Sequence, residues 1–241
     1  MRLMFIRHAD PDYEHDTLTE KGWREAELLA DRLEKESIDA FYVSPMGRAK
    51  DTASVTLNRM HREAEELDWL HEFDMRIQED GYEDTHIIWD RMPSYWTQEP
   101  TYYDKDRWFH KTPLLDNGVG VAASRVLDAF DALIASYGYT RDNNLYKVTS
   151  PNAQTLVFFC HFGVSCLLLG HMLGISPMVL WHNCIAVPTA VTTLITEERE
   201  EGTAIFRLMT FGDTSHLTQA GEEPSFAGRF CEMYKNTDQR H

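Results

Sequence analysis

The sequence predicts an α/β fold: three layers, α/β/α, around a mostly parallel central sheet, with a helical and irregular cap inserted at about residues 73–121. Three observations predict it. Short apolar runs alternate with segments of helical period; charged residues stand directly behind the carboxyl ends of those runs; and between about 73 and 121 periodicity weakens while aromatic residues accumulate.

Met1 to Ile6, with its apolar run Leu3 to Ile6, reads as a buried strand whose end delivers Arg7 and His8. Arg7 stops that run far short of a signal peptide or a membrane span, so the chain is expected to be soluble and cytoplasmic. From Thr19 the period changes. Trp23, Ala26, Leu29, Ala30 and Leu33 share a helical face, with Thr19 as N-cap and Glu20 in the first turn, and the helix is expected to end near Glu36. Ala40 to Val43 is a second strand, broken by Ser44-Pro45 before a helix over Met46 to Leu57.

The insertion holds Trp89, Tyr95, Trp96, Tyr102, Tyr103, Trp108 and Phe109 among charges and prolines. They read as a small satellite core that also covers an apolar part of a ligand. Regular text resumes at Ala122 to Tyr137, where Val126, Leu127, Phe130, Leu133 and Ile134 mark a stripe. Thr155 to Cys160 is a strongly β-prone run with His161 just beyond it. A helix over Val164 to Leu173 closes on Gly174, strands follow over Val187 to Thr196 and Thr203 to Thr210, and the last twenty residues form a polar tail.

Composition narrows the partners. At 241 residues and 43% hydrophobic content the chain can bury one large core, and a formal net charge of -16 excludes a nucleic-acid face. No membrane partner is expected, and oligomeric state is not encoded legibly. Cys160, Cys166, Cys184 and Cys231 contain no C-x-x-C and are too few for a disulfide framework, which points to a reducing compartment. The remaining histidines show no metal-ligand spacing, so neither a metal nor another cofactor is predicted.

Arg7-His8, Arg48 and His161 all follow strands. The carboxyl ends of parallel strands form the crevice where α/β proteins bind ligands, so these groups are expected to meet. Neutral imidazole is a competent nucleophile toward phosphorus, guanidinium forks hold phosphate oxygens, and a second, protonated histidine would stabilise the moving phosphoryl group. Each residue alone has a plainer reading: His161 as a satisfied core histidine, Arg48 as an ion pair with Asp51 or Glu63.

Together the motifs resemble the histidine phosphatase superfamily, the branch related to cofactor-dependent phosphoglycerate mutases. Phe5-Ile6-Arg7-His8-Ala9 is similar to its Arg-His-Gly opening, with Ala9 for the usual glycine. Leu18-Thr19-Glu20-Lys21-Gly22 with Glu25-Ala26 resembles its first helix start, with Glu25 where glutamine is commoner. Ser44 to Ala53 is similar to its Ser-Pro-x-x-Arg-Ala-x-x-Thr-Ala segment, Leu70-His71-Glu72 to its Leu-x-Glu step, Cys160 to Gly163 to the segment of its second histidine, and Gly212 to Leu217 to its closing motif.

The resemblance implies His8 as phosphorylated nucleophile, Arg7, Arg48 and His161 as the phosphate pocket, Glu72 as general acid, and a small phosphate monoester as substrate. His216 is expected to play a structural role. Asp10-Pro11-Asp12-Tyr13 departs from the Glu-Ser-x-Trp-Asn stretch that mutases share, which favours hydrolysis over a phosphoglycerate mutase-like transfer. A non-catalytic phospho-ligand binding module is the remaining alternative. The acidic Asp10 and Asp12 make a polyanionic substrate less attractive unless they point away.

Overall fold

The computed structural model describes residues 1–79 and 84–229; Asp80, Cys231 and His241 lie outside the described residues. The first strand, β1 (Arg2–Arg7), lies in the middle of the sheet. A small hairpin, β2 (Pro11–Asp12) and β3 (Thr17–Leu18), leads to α1 (Glu20–Leu33), where the Thr19 side chain accepts the Gly22 N–H as N-cap. Next come β4 (Ala40–Val43), α2 (Gly47–Met60) and β5 (Glu65–Glu66).

The insertion contributes a hairpin, β6 (Arg76–Ile77) and β7 (His86–Ile87), and a four-residue helix, α3 (Pro93–Trp96). The long α4 (Val119–Ser136) precedes a hairpin of β8 (Tyr139–Asp142) and β9 (Leu145–Val148), and then β10 (Thr155–Cys160). The remaining elements are α5 (Phe162–Leu173), α6 (Pro177–Asn183), β11 (Val191–Glu200), β12 (Thr203–Asp213) and α7 (Ser215–Ala220).

The sheet runs β5-β4-β10-β1-β11-β12-β9-β8. Its site-bearing half is parallel: β5 with β4, β4 with β10, β10 with β1. From β11 onward the pairings are antiparallel. Central strands are apolar on both faces because both are covered, and their period-two alternation sorts side chains between two cores. Met4, Ile6, Val157 and Phe159 pack under α1 and α2 with Leu29, Leu33 and Ala53. Leu3, Phe5, Leu156 and Phe158 pack on the other face with Phe130, Ile134 and Leu167. Each such side chain removed from water contributes roughly 1.5–3 kcal/mol, which fixes where these strands end.

The aromatic insertion is not a satellite core. Trp96, Tyr102 and Trp108 belong to the same buried cluster as Leu3 and Phe5. They join it through α6, an element too short to show a periodic stripe in the sequence. Phe73 stacks on Trp181 at 5.9 Å, Trp108 meets Trp181 edge-on at 5.4 Å, and Trp96 stacks on His182 at 4.8 Å. A buried Arg91 donates from Nε to Glu79 at 3.1 Å and lies over the Tyr102 ring, pinning the β6–β7 hairpin to the same body. The β8–β9 hairpin was also not anticipated; it turns through Asn143 at φ 56. Predicted as Val187 to Thr196, β11 instead starts at Val191, because Thr189 adopts φ 57 and the chain around it passes behind the site.

Candidate active site

The register of β1 on β10 pairs Arg7 with Cys160, so the next residues, His8 and His161, leave the sheet side by side. Their rings lie 5.2 Å apart, centroid to centroid. One strand over, β4 pairs Val43 with Phe159, which brings Ser44 to His161. The Ser44 hydroxyl lies 2.7 Å from His161 Nε2 and accepts the Met46 N–H at 3.3 Å. Strand register alone therefore assembles three of the site's side chains.

His8 is locked by its own loop. Its backbone N–H donates to the Cys160 carbonyl at 2.9 Å, and its Nδ1 lies 2.8 Å from the Ala9 carbonyl, which can only accept. Nδ1 therefore carries the proton and Nε2 the lone pair. Burial, then the Arg7 and Arg48 charges, hold the His8 pKa well below its ordinary value, so the ring is neutral at neutral pH. Ala9 is fully buried and donates its N–H to Thr52 Oγ1 at 2.9 Å. Behind the pair, the Thr189 N–H is shared between the Arg7 and His8 carbonyls at 3.2 Å each, and His216 Nε2 reaches Thr189 Oγ1 at 3.1 Å. His216 thus has the structural role expected of it, and Thr189 is a support that sequence reasoning missed.

Arg48 sits in the first turn of α2 and pairs neither with Asp51 nor with Glu63. Its partner is Asp16, at 2.6 Å from Nη1, and the other Asp16 oxygen accepts the Gly47 N–H at 2.7 Å. Asp16 therefore caps α2 from a distant loop and fixes the guanidinium at once. A Cβ on Gly47 would stand 2.1 Å from the Asp16 carbonyl oxygen, so the contact requires glycine there. Although burial pushes the Asp16 pKa up, these two bonds hold it below the usual carboxylate range. Tyr13, 64% exposed, lies beneath Arg48 with its ring centre 5.4 Å from the guanidinium carbon.

Arg7 donates from Nη1 to the carbonyls of Ala186, at 2.8 Å, and Ala227, at 3.2 Å. The Ala227 contact comes from the chain's last described stretch, which Glu25 anchors. Glu25 accepts the Asp10 N–H at 3.0 Å and the Ser225 N–H at 2.9 Å. The start of the polar tail is thus docked and lines the cavity through Ala227 and Gly228. Asp10 faces Thr19 and Ser225 and Asp12 faces His15; neither lines the cavity.

Glu72 approaches from the side of the cap and sits at the N-terminus of α5. Its carboxyl group accepts N–H bonds from Phe73 at 2.8 Å, Val164 at 3.0 Å and Gly163 at 3.2 Å. A Cβ on Gly163 would lie 2.7 Å from Glu72 Oε1 and from Trp89 Nε1, so glycine is what lets Glu72 dock. Burial raises the Glu72 pKa, and the three N–H donors oppose that rise without cancelling it.

His161 departs from expectation in one respect. Burial, then His8 and Arg48, push its pKa well below the ordinary value, so the ring is neutral rather than protonated. Arg7 Nε, Arg48 Nε and His161 Nδ1 are buried without a hydrogen-bond partner among the described residues. Buried polar atoms are normally satisfied, and two guanidinium N–H donors left over beside one imidazole describe a cradle for an anion. The cavity there measures about 510 Å³ and is lined by Arg7, His8, Arg48 and Glu72 at one end and by cap residues at the other.

A fold of this topology with such a cradle at its strand ends belongs to a known class. The family model of the histidine phosphatase superfamily (branch 1) matches residues 3–208, and the chain belongs to that superfamily. No curated protein matches the sequence. Among solved structures, a mutant phosphoserine phosphatase from Entamoeba histolytica in complex with phosphoserine is similar at TM-score 0.61 and 18% identity, covering 90% of this chain and 98% of that one. A mycobacterial glucosyl-3-phosphoglycerate phosphatase complexed with VO3 is similar at TM-score 0.56 and 19% identity, covering 88% and 99%. The α-ribazole phosphatase of Shigella flexneri is similar at TM-score 0.54 and 20% identity, covering 88% and 96%. Among the described residues no helix is long and apolar enough to cross a membrane.

Proposed function

We propose that the protein is a phosphatase that hydrolyses a small phosphate monoester through a phosphohistidine formed on His8. The observation that carries this reading is the neutral His8 ring, its Nδ1 proton engaged by the Ala9 carbonyl, set beside the unsatisfied Nε–H donors of Arg7 and Arg48 and 5.2 Å from the His161 ring. Phosphatase names among the structural neighbours support the same class.

The steps follow from the groups. Arg7 and Arg48 bind the phosphate oxygens and lower the charge that repels attack, and His161 donates Nδ1–H to an equatorial oxygen. His8 Nε2 attacks phosphorus as the ester bond breaks. Glu72, its pKa already raised and raised further by an incoming dianion, protonates the departing alkoxide. As a carboxylate it then takes a proton from the water that cleaves the phosphorus–nitrogen bond, which returns His8 to its neutral form. The scheme draws only on side chains of this chain. Cys160, Cys166 and Cys184 are free thiols, which supports a reducing, cytoplasmic location.

A phosphate-release screen over sugar, nucleotide, cofactor and aryl phosphates tests the reading. Phosphate is expected as the dominant product, with isomer interconversion of phosphoglycerates slower than release even with a bisphosphate primer. Faster interconversion would make the protein a mutase, and no turnover of any ester would leave a binding module.

A further inference from the structure

The β2–β3 hairpin sends Asp16, which holds Arg48, and also Tyr13 to the phosphate cradle. Tyr13 stands in the turn of that hairpin, and the turn is fixed from within. The Asp12 carboxylate accepts the Glu14 N–H at 3.0 Å and the His15 N–H at 3.3 Å, and its second oxygen lies 2.9 Å from His15 Nδ1. At the other end of the turn Asp16 takes the Gly47 N–H at 2.7 Å, and the Thr17 hydroxyl donates to the Asp51 carboxylate. Leu18, at the base, is buried with Ala9, Ala26 and Val55. A turn held at so many points presents its side chain in one place, so little ordering is left for a ligand to impose.

A single exposed ring on a protein surface is ordinary, and Tyr13 is 64% exposed. Its neighbours set it apart. The ring centre lies 5.4 Å from the Arg48 guanidinium carbon. The side chain also reaches Arg7: burial lowers the Arg7 pKa, and Tyr13 opposes that through charge and a side-chain hydrogen bond. Tyr13 therefore meets both guanidinium groups of the cradle, and it lines the same cavity as His8 and Glu72. A guanidinium can only donate, so the phenol oxygen is the acceptor in its pair with Arg7 and keeps its own proton. A phosphate dianion bound by the same two arginines brings oxygen acceptors to that proton.

We infer that, on the phosphatase reading above, Tyr13 is a further phosphate-binding residue, its hydroxyl donating to a non-bridging oxygen of the phosphoryl group while its ring braces the Arg48 guanidinium. The contact forms with inorganic phosphate as it does with an ester, so it is measurable without turnover. Calorimetric binding of inorganic phosphate to the wild type, Tyr13→Phe and Tyr13→Leu tests it, beside denaturant melts of all three and kcat/KM for any ester that the wild type hydrolyses.

Tyr13→Phe removes the hydroxyl alone and is expected to weaken phosphate binding about fivefold; Tyr13→Leu, which also lacks the ring, about fifteenfold. The melts are expected to coincide, since the side chain is mostly in water. Phosphate added to the wild type should perturb the near-ultraviolet absorbance of tyrosine, and Tyr13→Phe should lose that perturbation. Phosphate binding by Tyr13→Phe equal to the wild type, or a perturbation that survives in it, overturns the inference and leaves the phosphatase reading intact where esters are hydrolysed. A weaker affinity that comes with a lowered melting midpoint makes Tyr13 a structural residue and overturns it as well. If no ester is hydrolysed while Tyr13→Phe still weakens phosphate with its melt unchanged, the phosphatase reading falls and the binding role stands.

Discussion

The two ends of the cavity are built by different means. At the phosphate end, positions are fixed by strand register: Arg7 opposite Cys160 and Val43 opposite Phe159 carry His8, His161 and Ser44 together. Sliding any of these strands by one residue would exchange their core faces, so the fold's own hydrophobic energy holds the geometry. Among the described residues the cap end has no ladder of comparable length. Ile87 and Trp89 are held by a two-residue hairpin, the Arg91–Glu79 pair and the contacts of aromatic rings with Trp181 and His182. Side chains on such a cap can differ without moving the strand register, so one scaffold can serve many ligands.

Glu72 bridges the two ends, and its loss is expected to have the largest effect. Glu72→Gln should lower kcat roughly 10²–10⁴-fold on an alkyl phosphate and far less on a nitrophenyl ester, whose leaving group needs no proton. The sign of the pH dependence follows from the raised pKa: the acid form is required, so kcat falls as pH rises through the Glu72 pKa. The Gln variant should lose that limb. An equal loss on both esters would deny Glu72 the role of acid.

Glu25 tests how firmly the phosphate end is tied to the tail. Its pKa is raised from 4.5 to about 7, chiefly by burial. A raised folded pKa contributes stability that is fully present below the unfolded value and lost as pH rises through the folded one. Between about pH 4.5 and 7 this loss is on the order of 3 kcal/mol. Denaturant melts across that window should show the decline, and Glu25→Gln should flatten it while giving up one of the two N–H bonds. A wild-type profile without the decline contradicts the assignment.

Smaller effects separate the two ends further. Asp16→Ala frees the Arg48 guanidinium and uncaps α2, and is expected to raise KM roughly tenfold with a smaller change in kcat. Inhibition by inorganic phosphate should weaken in parallel. Trp89→Ala, on the cap, should leave phosphate inhibition unchanged and reduce the preference for an aryl over a small alkyl ester by roughly threefold. If Trp89→Ala weakened phosphate itself, the division into two ends would fail.

Much of the phosphate end was legible because its residues follow apolar runs whose length and period declare them strands. His8 and His161 each stand one residue beyond such a run, and Arg48 five residues beyond one. Asp16 was not legible: it reaches α2 from a loop thirty-one residues upstream of Gly47, and its φ of 49 leaves no local mark in the text. Thr189 and Ala227 act through backbone groups, which every residue carries, so no side-chain pattern announces them. The cap resisted for another reason. Its aromatics are spaced by where Trp181 and His182 stand rather than by a helix or strand period, and α6, which bears both, was itself too short to find.

The most direct test of the account is covalent. Enzyme mixed with a labelled phosphate ester and quenched in alkali within a turnover should carry acid-labile label on the peptide containing His8, and His8→Ala should carry none. Label that persists in His8→Ala, or brisk phosphate release with no labelled enzyme in that window, would contradict a phosphohistidine on His8.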